Sequence, residues 1–367
     1  MKNLFFSVLA LILMISLYSC DDAINSDDNV YTEMNGDYDI YYSTLNKTTE
    51  EGFIIKSSID GKNKEVWRDS SIFLFPAVDN RLLIYNAIEN KFDINNNSPK
   101  LQYSIFNFNN NNESFPFQVD EIKEHLKLLN ENKVIACNDI TGLDRKGSAS
   151  IIDLNNKTKI EIANSSCLKT IIPSPDGSTV FALNLDPHGY FIFNSDGSNK
   201  QKLNLKSHID SGSIFVQSWT HDNLNFLCSK FDFDKQSFNG TFIKYNIENH
   251  QKTEIKSLDK HIFSSACISP QGDKIAFITY PGGLSIMDKD GSNLKVLRNI
   301  FTEEHQDLQR PIIEWSPDGK YILCSKMFSS KKGDILMTGL EVINVQTGEY
   351  TTIESNDIVT SATWIEK

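Results

Sequence analysis

A short corner motif, Ser-Pro-Asp-Gly or a degenerate form of it, returns along the chain at a spacing of about 47 residues, the repeat length of a β-propeller blade. Its clearest copies are Ser174–Gly177, Ser269–Gly272 and Ser316–Gly319, each lying between two apolar runs. Proline presets the first turn position, Asp bonds the backbone two residues on, and Gly accepts a positive φ. The motif therefore predicts a tight strand reversal that is repeated from blade to blade.

Degenerate corners and a second turn motif complete the repeat. The weaker corners carry Asn in place of Gly, at Asn80, Asn132 and Asn223, and Asn is the next most tolerant residue at positive φ. A polar hairpin also recurs out of phase with the corner, and each copy precedes a short outer strand. Its copies lie at Ile59–Lys62, Phe108–Asn110, Asp153–Asn156, Asn194–Gly197, Asn246–Asn249, Asp288–Gly291 and Asn344–Gly348. Together the two motifs predict blades of four strands.

The two ends of the chain each supply part of one blade. Tyr38–Tyr42 and Phe53–Ile55 have the pattern of strands that follow a missing inner strand, whereas Val359–Ile365 falls where a new inner strand would begin. We predict an all-β propeller of seven four-stranded blades whose ring is closed by the C-terminal strand; six and eight blades remain open alternatives. Closure removes the sheet edges that would invite aggregation.

The repeats resemble the WD40-like repeats of TolB-type propellers, in which an apolar strand, WSPDG, a second apolar strand and a D-G-S-N hairpin follow one another. Ile286–Leu297 and Ile313–Ser325 are the most direct copies, and the resemblance covers the chain from about residue 35 to its end. Similar propellers occur in Tol-system periplasmic proteins, in prolyl oligopeptidases and in oligogalacturonate lyases. The resemblance therefore implies the fold and leaves the activity open.

The N-terminus has the pattern of an export signal. Lys2 precedes the apolar run Leu4–Leu17, which is too short for an ordinary spanning helix. Leu17–Cys20 resembles a bacterial lipobox, which implies cleavage before Cys20 and its acylation, with palmitate as a typical chain. An ordinary secretory signal with a chance cysteine is the alternative. We predict a lipoprotein signal peptide over residues 1–19, an acidic flexible tether over 20–34 and the propeller over 35–367.

This organisation predicts a lipid-anchored protein of the bacterial cell envelope. The expected location is the outer membrane, facing the periplasm or the cell surface, and the membrane leaflet stays open. The net charge of -12 and the lack of a basic cluster argue against nucleic acid as a partner. Any charged partner is expected to be cationic.

Motifs for catalysis and for metal binding are absent from the sequence. It contains no G-x-S-x-G, H-E-x-x-H or C-x-x-C. Asp288–Gly291 begins like a calcium loop but lacks the later glutamate ligand. Cys137, Cys228 and Cys324 are predicted to occupy equivalent apolar strand positions as small buried residues rather than disulfide partners. We therefore predict a protein that is not an enzyme, with no catalytic residues, no metal site and no cofactor.

Long connections predict where a partner would bind. They join second to third strands and outer strands to the next blade, and both kinds lie on one face of a propeller. Aromatic and Arg side chains dominate interface energetics. The predicted binding residues on this face are Phe231, Phe233, Tyr280, His305, Arg310 and His188. The alternative for the phenylalanines is that they pack as local cores within their loops.

Two functions follow from this interpretation. The first is a non-catalytic interaction module that binds a protein, peptide or glycan at its loop face. Its N-terminal lipid anchors it to the membrane. The second is a metal-assisted polysaccharide lyase of the oligogalacturonate type, or a related hydrolase. The resemblance implies that such enzymes hold a metal near the channel mouth with His and Gln, and His305, Gln306 and Gln309 invite that comparison.

Overall fold

The computed structural model describes residues 34, 36–46, 49, 51–69, 71–78, 80–87, 101–114, 123–130, 132–138, 149–162, 168–185, 188–205, 214–231, 240–259, 261–280, 283–299, 312–329 and 335–367. All regular secondary structure in these ranges is β-strand, arranged in seven antiparallel sheets of four strands each. The sheets are the seven predicted blades, and we number them in chain order from the one that contains β1.

Within each blade the strands follow the order of the chain from the channel outward, except that the C-terminal strand is the innermost strand of blade 1. For each strand position, the strands are given in the order of blades 1 to 7. The inner strands are β28 (Ile358–Glu366), β4 (Ser71–Val78), β8 (Lys123–Asn130), β12 (Leu168–Pro173), β16 (Ile214–Trp219), β20 (His261–Ile268) and β24 (Ile313–Trp315). The second strands are β1 (Tyr38–Leu45), β5 (Arg81–Ala87), β9 (Lys133–Asn138), β13 (Thr179–Leu185), β17 (Asn225–Phe231), β21 (Lys274–Tyr280) and β25 (Tyr321–Ser329). The third strands are β2 (Gly52–Ser58), β6 (Leu101–Asn107), β10 (Ala149–Asp153), β14 (His188–Asn194), β18 (Gly240–Asn246), β22 (Gly283–Asp288) and β26 (Ile335–Asn344). The outer strands are β3 (Lys64–Asp69), β7 (Asn112–Ser114), β11 (Lys159–Glu161), β15 (Gln201–Lys202), β19 (Lys252–Leu258), β23 (Lys295–Arg298) and β27 (Tyr350–Glu354).

The C-terminal strand closes the ring, as the sequence predicts. β28 pairs antiparallel with β1, with Trp364 opposite Ile40, so blade 1 combines the two ends of the chain. A register shift at Ser43 leaves Thr360 as an extra residue on β28, and the Ser43 hydroxyl lies 2.6 Å from the Thr360 hydroxyl. Because β28 pairs with the inner edge of β1, β1 is not left as an exposed strand edge.

The corner motif folds as its residue types require. Gly177 has a φ of 66°, and its N–H donates to the Ser174 carbonyl at 2.9 Å. In the degenerate corners Asn80 and Asn223 take φ values of 56° and 57°, as predicted for Asn in place of Gly, whereas Asn132 is not among the described residues at positive φ. A Cβ on Gly177 would lie 2.8 Å from the Leu129 carbonyl oxygen of the preceding blade, so close packing also requires glycine here.

Apolar side chains fill the seams between neighbouring blades. Phe181 of blade 4 meets Phe226 of blade 5 with ring centroids 5.0 Å apart, and Phe242 of blade 5 meets Phe277 of blade 6 at 4.8 Å. Edge-to-face pairs of this kind add to the free energy of simple area burial. The hydrophobic core is therefore a set of wedges between sheets, and each blade depends on both of its neighbours.

The cysteines correct one detail of the predicted repeat. Cys228 and Cys324 are free and buried, as expected, in β17 and β25. Cys137 lies one position further along its strand, because Val134 pairs with Ile152 as Phe226 pairs with Tyr245, which places Ala136 at the position of Cys228. A shift of one residue turns a side chain to the opposite face of a strand. The three cysteines are therefore not equivalent.

Candidate functional site

The two faces of the ring differ in the length of their connections. One face carries the corners between inner and second strands and the hairpins between third and outer strands, and we call it the tight-turn face. At the opposite face, the loop face, lie the strand ends that the other connections join; residues 88–100, 139–148, 232–239 and 300–311 of these connections are outside the described residues. Connections between the elements of a rigid scaffold are where proteins most often place binding residues.

Three of the predicted binding residues lie at the loop face on consecutive blades. His188 begins β14 in blade 4, Phe231 ends β17 in blade 5 and Tyr280 ends β21 in blade 6. All three therefore sit at the same end of their sheets, next to a connection between second and third strands. Phe233, His305 and Arg310 lie outside the described residues, as do Gln306, Gln309, Cys20 and the predicted signal peptide.

Carboxylates on the tight-turn face are occupied by the turns themselves. Asp176 accepts a hydrogen bond from the Ser174 hydroxyl at 2.6 Å and from the Ser178 N–H at 3.0 Å. Burial alone would raise the pKa of Asp176, but these hydrogen bonds outweigh burial and lower it. The corner of blade 7 repeats the arrangement, with Ser316 donating to Asp318 at 2.7 Å. These carboxylates therefore act as structural acceptors within their turns.

In the turn that resembles the start of a calcium loop, Asp288 contacts a lysine and an asparagine side chain. The Lys274 ammonium lies 2.8 Å from Asp288 Oδ1, while the Asn293 amide donates to Asp288 Oδ2 at 2.6 Å. The hydrogen bond from Lys274 is the main cause of the lowered pKa of Asp288. Nowhere in the described ranges do three or more His, Cys, Asp or Glu side chains form a cluster suited to a metal ion.

Indole side chains tie the inner strands of neighbouring blades together. Trp219, Trp315 and Trp364 occupy equivalent positions just before the tight-turn face. Each indole N–H donates to a carbonyl of the preceding blade: Trp219 to Ile172 at 2.9 Å, Trp315 to Cys267 at 3.3 Å and Trp364 to Glu314 at 3.4 Å. These three side-chain hydrogen bonds therefore join the inner strands of blades 4 and 5, 6 and 7, and 7 and 1.

The residue just before this tryptophan position is also equivalent in all seven inner strands, and we place it on the wall of the channel. The residues at this position pair with Tyr41, Leu83, Ile135, Phe181, Leu227, Ala276 and Leu323, which are themselves equivalent in the second strands. We call this set the channel ring; in blades 1 to 7 it consists of Thr363, Phe75, Lys127, Ile172, Ser218, Cys267 and Glu314. Lys127, Ser218, Cys267 and Glu314 keep part of their surface exposed.

Glu314 connects blade 7 to the closing strand. The Thr363 hydroxyl of β28 donates to Glu314 Oε1 at 2.8 Å. Burial raises the pKa of Glu314 to about 8, in spite of the hydrogen bonds from Thr363 and Trp364 that lower it. Across the seam on its other side, burial also raises the pKa of the Cys267 thiol, which donates to the Ile313 carbonyl at 3.8 Å. In both groups burial therefore favours the neutral form.

Lys127 has a different environment in blade 3. Its Nζ donates to the Ile171 carbonyl of blade 4 at 2.9 Å, next to a register shift where β12 loses its regular pairing with β13. The side chain keeps some exposed area, yet protein surrounds the amine closely enough that burial lowers the pKa of Lys127 to about 8. Neither Lys127 nor Glu314 belongs to a catalytic motif. When the repeats are aligned on their corners, both residues are ionisable side chains at a position that is apolar or neutral in the other blades.

Solved structures of other proteins share the propeller fold. An oligogalacturonate lyase from Vibrio parahaemolyticus has a TM-score of 0.56 at 13% identity, over 84% of this chain and 92% of that chain. An oligogalacturonate lyase in complex with manganese has a TM-score of 0.55 at 14% identity, over 75% of this chain and 81% of that one. TolB from Acinetobacter baumannii aligns at 10% identity over 92% of this chain and 69% of that one, with a TM-score of 0.49.

The two oligogalacturonate lyases show that the chain has the same propeller fold as these proteins. Identities this low carry no activity with them. Neither a family model nor a curated protein matches the sequence. In the described part of the chain, no helix has the length and hydropathy needed to cross a bilayer.

Proposed function

We propose that the protein is a lipid-anchored, exported interaction module that holds a protein, peptide or glycan at the loop face of its propeller and performs no chemistry on it. The contrast between the two faces carries this proposal. Carboxylates of the tight-turn face are engaged in internal hydrogen bonds, whereas the long connections and the strand ends at His188, Phe231 and Tyr280 share the loop face. A rigid ring with one variable face suits recognition.

Membrane attachment through Cys20 is part of the proposal and has its own test. Two acyl chains, each contributing about 0.8 kcal/mol per buried methylene, anchor a protein where a single chain binds only reversibly. Mass spectrometry of the N-terminal peptide should find a diacylglyceryl group on Cys20, and Cys20→Ser should release the protein from membranes. An unmodified Cys20 in the mature protein would refute the anchor and leave the loop-face proposal standing.

The loop-face proposal is tested by chemical crosslinking in intact cells. A variant with Phe231→Ala, Tyr280→Ala and Arg310→Ala should lose crosslinked species that the wild-type protein forms. A matched control with Asn110→Ala, Asn156→Ala and Asn249→Ala on the tight-turn face should retain them. These controls change exposed hairpin residues. Loss of crosslinks in the control but not in the loop-face variant would place the binding surface on the other face.

The similarity to oligogalacturonate lyases, one of them in complex with manganese, motivates the second candidate function. His305, Gln306 and Gln309 are its proposed metal-side residues in this chain. Elemental analysis of the purified protein and an absorbance assay for unsaturated products from polygalacturonate decide between the two functions. Stoichiometric manganese that is lost in His305→Ala, together with cleavage, would establish the lyase and refute the non-catalytic module.

A further inference from the structure

The partly exposed Lys127 has no counter-ion among the described residues. No carboxylate of the described residues lies within ion-pair distance, and the side chain makes one hydrogen bond, to the Ile171 carbonyl. An ammonium group has three N–H donors, so two are left for a solvent molecule or a ligand. Buried charges in proteins are ordinarily paired, because transferring an isolated charge out of water is costly.

The position of Lys127 in the channel ring gives this charge its significance. Glu314 is the one carboxylate among the other members of the ring, and burial raises its pKa to about 8, which favours its neutral form. Cys267 is a thiol whose pKa is also raised by burial, and Ser218 is a hydroxyl. The Lys127 ammonium therefore has no close counter-charge among the described residues of the ring, in a chain whose formal net charge is -12. A single positive charge within protein walls of low dielectric attracts anions more strongly than the same charge in water.

Polar hydrogen-bonding groups are available on the same ring. The Ser218 hydroxyl oxygen is buried and has no hydrogen-bond partner among the described atoms. Next to it on β16, the Gln217 amide spans two strands, donating to the Ser229 hydroxyl at 2.7 Å and accepting from the Ala266 N–H at 3.2 Å. An unsatisfied buried hydroxyl costs free energy, and a polar ligand or a water molecule in the channel would remove that cost.

We propose that Lys127 anchors a site in the central channel for a small ligand that carries a carboxylate or phosphate group. The ammonium binds the anion while retaining its hydrogen bond to Ile171, and the neutral carboxyl of Glu314 adds no repulsion. The site lies inside the ring rather than on the loop face. It therefore stands independently of the proposed partner capture.

A purely structural role for Lys127 gives a different expectation. If the lysine served only to satisfy the Ile171 carbonyl at the irregularity in β12, a neutral side chain with a donor would replace it without loss of anything else. Lys127→Gln is that replacement. Lys133, which lies at the tight-turn face, supplies a matched control. Its Nζ also donates to a carbonyl of blade 4, that of Ser195, over a distance of 3.2 Å.

The test is calorimetric titration of the full-length protein in detergent with sodium phosphate and, separately, sodium acetate, at constant ionic strength set with sodium chloride. Wild-type protein and Lys133→Gln should show saturable binding of at least one anion, and Lys127→Gln should weaken it at least tenfold. The preferred anion identifies a phosphate or a carboxylate ligand. Circular dichroism melting confirms that Lys127→Gln is folded, and Lys127→Met serves as a second neutral variant.

Two results would overturn the site. Wild-type protein that binds neither anion saturably would mean that water alone solvates Lys127. Equal binding by wild type, Lys127→Gln and Lys127→Met would place the anion elsewhere on the protein.

Discussion

The tight-turn face and the loop face are built from the same repeats, yet they obey different constraints. At the tight-turn face, corners such as that of blade 4 need a residue that tolerates positive φ and an acceptor such as Asp176 to bind the turn, so geometry restricts the residue types. At the loop face the strands only have to be connected, and connection length varies from blade to blade. Loop length costs little free energy once the ends are held by a scaffold. The connections of the loop face can therefore vary in length and sequence while the blades stay folded.

The channel wall lies between these extremes. Trp219, Trp315 and Trp364 repeat a structural hydrogen bond, whereas Lys127 and Glu314 each appear once at a position that the other blades fill with neutral side chains. The repeated tryptophan hydrogen bonds are explained by the needs of the fold. Lys127 and Glu314 each occur once, and the repeat does not explain them.

The largest expected effect comes from breaking the ring at its closure. Deleting residues 358–367 removes the inner strand of blade 1, including the buried Val359, Trp364 and Ile365. Loss of one buried Trp side chain alone costs about 3–5 kcal/mol, and stability of a domain is only about 5–15 kcal/mol. The truncated protein should lose its cooperative thermal transition or aggregate. An unchanged melting temperature would show that the two ends do not jointly complete a blade.

An intermediate effect is expected from the pH dependence of Glu314. Its pKa lies near 8 in the folded protein and near 4.5 when burial is lost, so the folded state retains a proton that the unfolded state releases. Its contribution to stability is therefore fully present below pH 4.5 and is lost as the pH rises toward 8. Because the side chain is partly exposed, we expect a decline of about 2 kcal/mol, less than the full shift implies.

Glu314→Gln isolates this effect because it keeps an acceptor for the Thr363 hydroxyl. The difference in free energy of unfolding between wild type and Glu314→Gln, measured with urea from pH 5 to pH 8.5, should change with pH in the direction that favours the variant at high pH. A difference that stays constant across this range would mean that Glu314 titrates normally and that its surroundings do not disfavour its charged form.

The fold was predictable from the sequence because its constraints are local and repeated. Corner residues such as Gly177 and Asn223 follow from backbone geometry, and the closure of blade 1 follows from counting strands at the two ends. The predicted equivalence of Cys137 was wrong because apolar runs tolerate a shift of one residue, and only the pairing register resolves it.

The candidate site was predictable only to the level of a face. Propeller topology places the ends of β17 and β21 beside the start of β14, which brings Phe231, Tyr280 and His188 to one side. Lys127 and Glu314 carry no catalytic motif. Their protonation depends on burial and on hydrogen bonds from neighbouring blades, which no local pattern encodes.

The division of roles between the two faces is tested most directly by measuring thermal stability and partner crosslinking together for two single variants. Asp176→Ala should lower the melting temperature through the loss of hydrogen bonds worth about 1–2 kcal/mol, while crosslinking at a temperature below its transition stays at the wild-type level. Phe231→Ala should show the opposite pattern, with weakened crosslinking and a melting temperature close to that of the wild type. Loss of crosslinking in folded Asp176→Ala with no loss in Phe231→Ala would contradict the account.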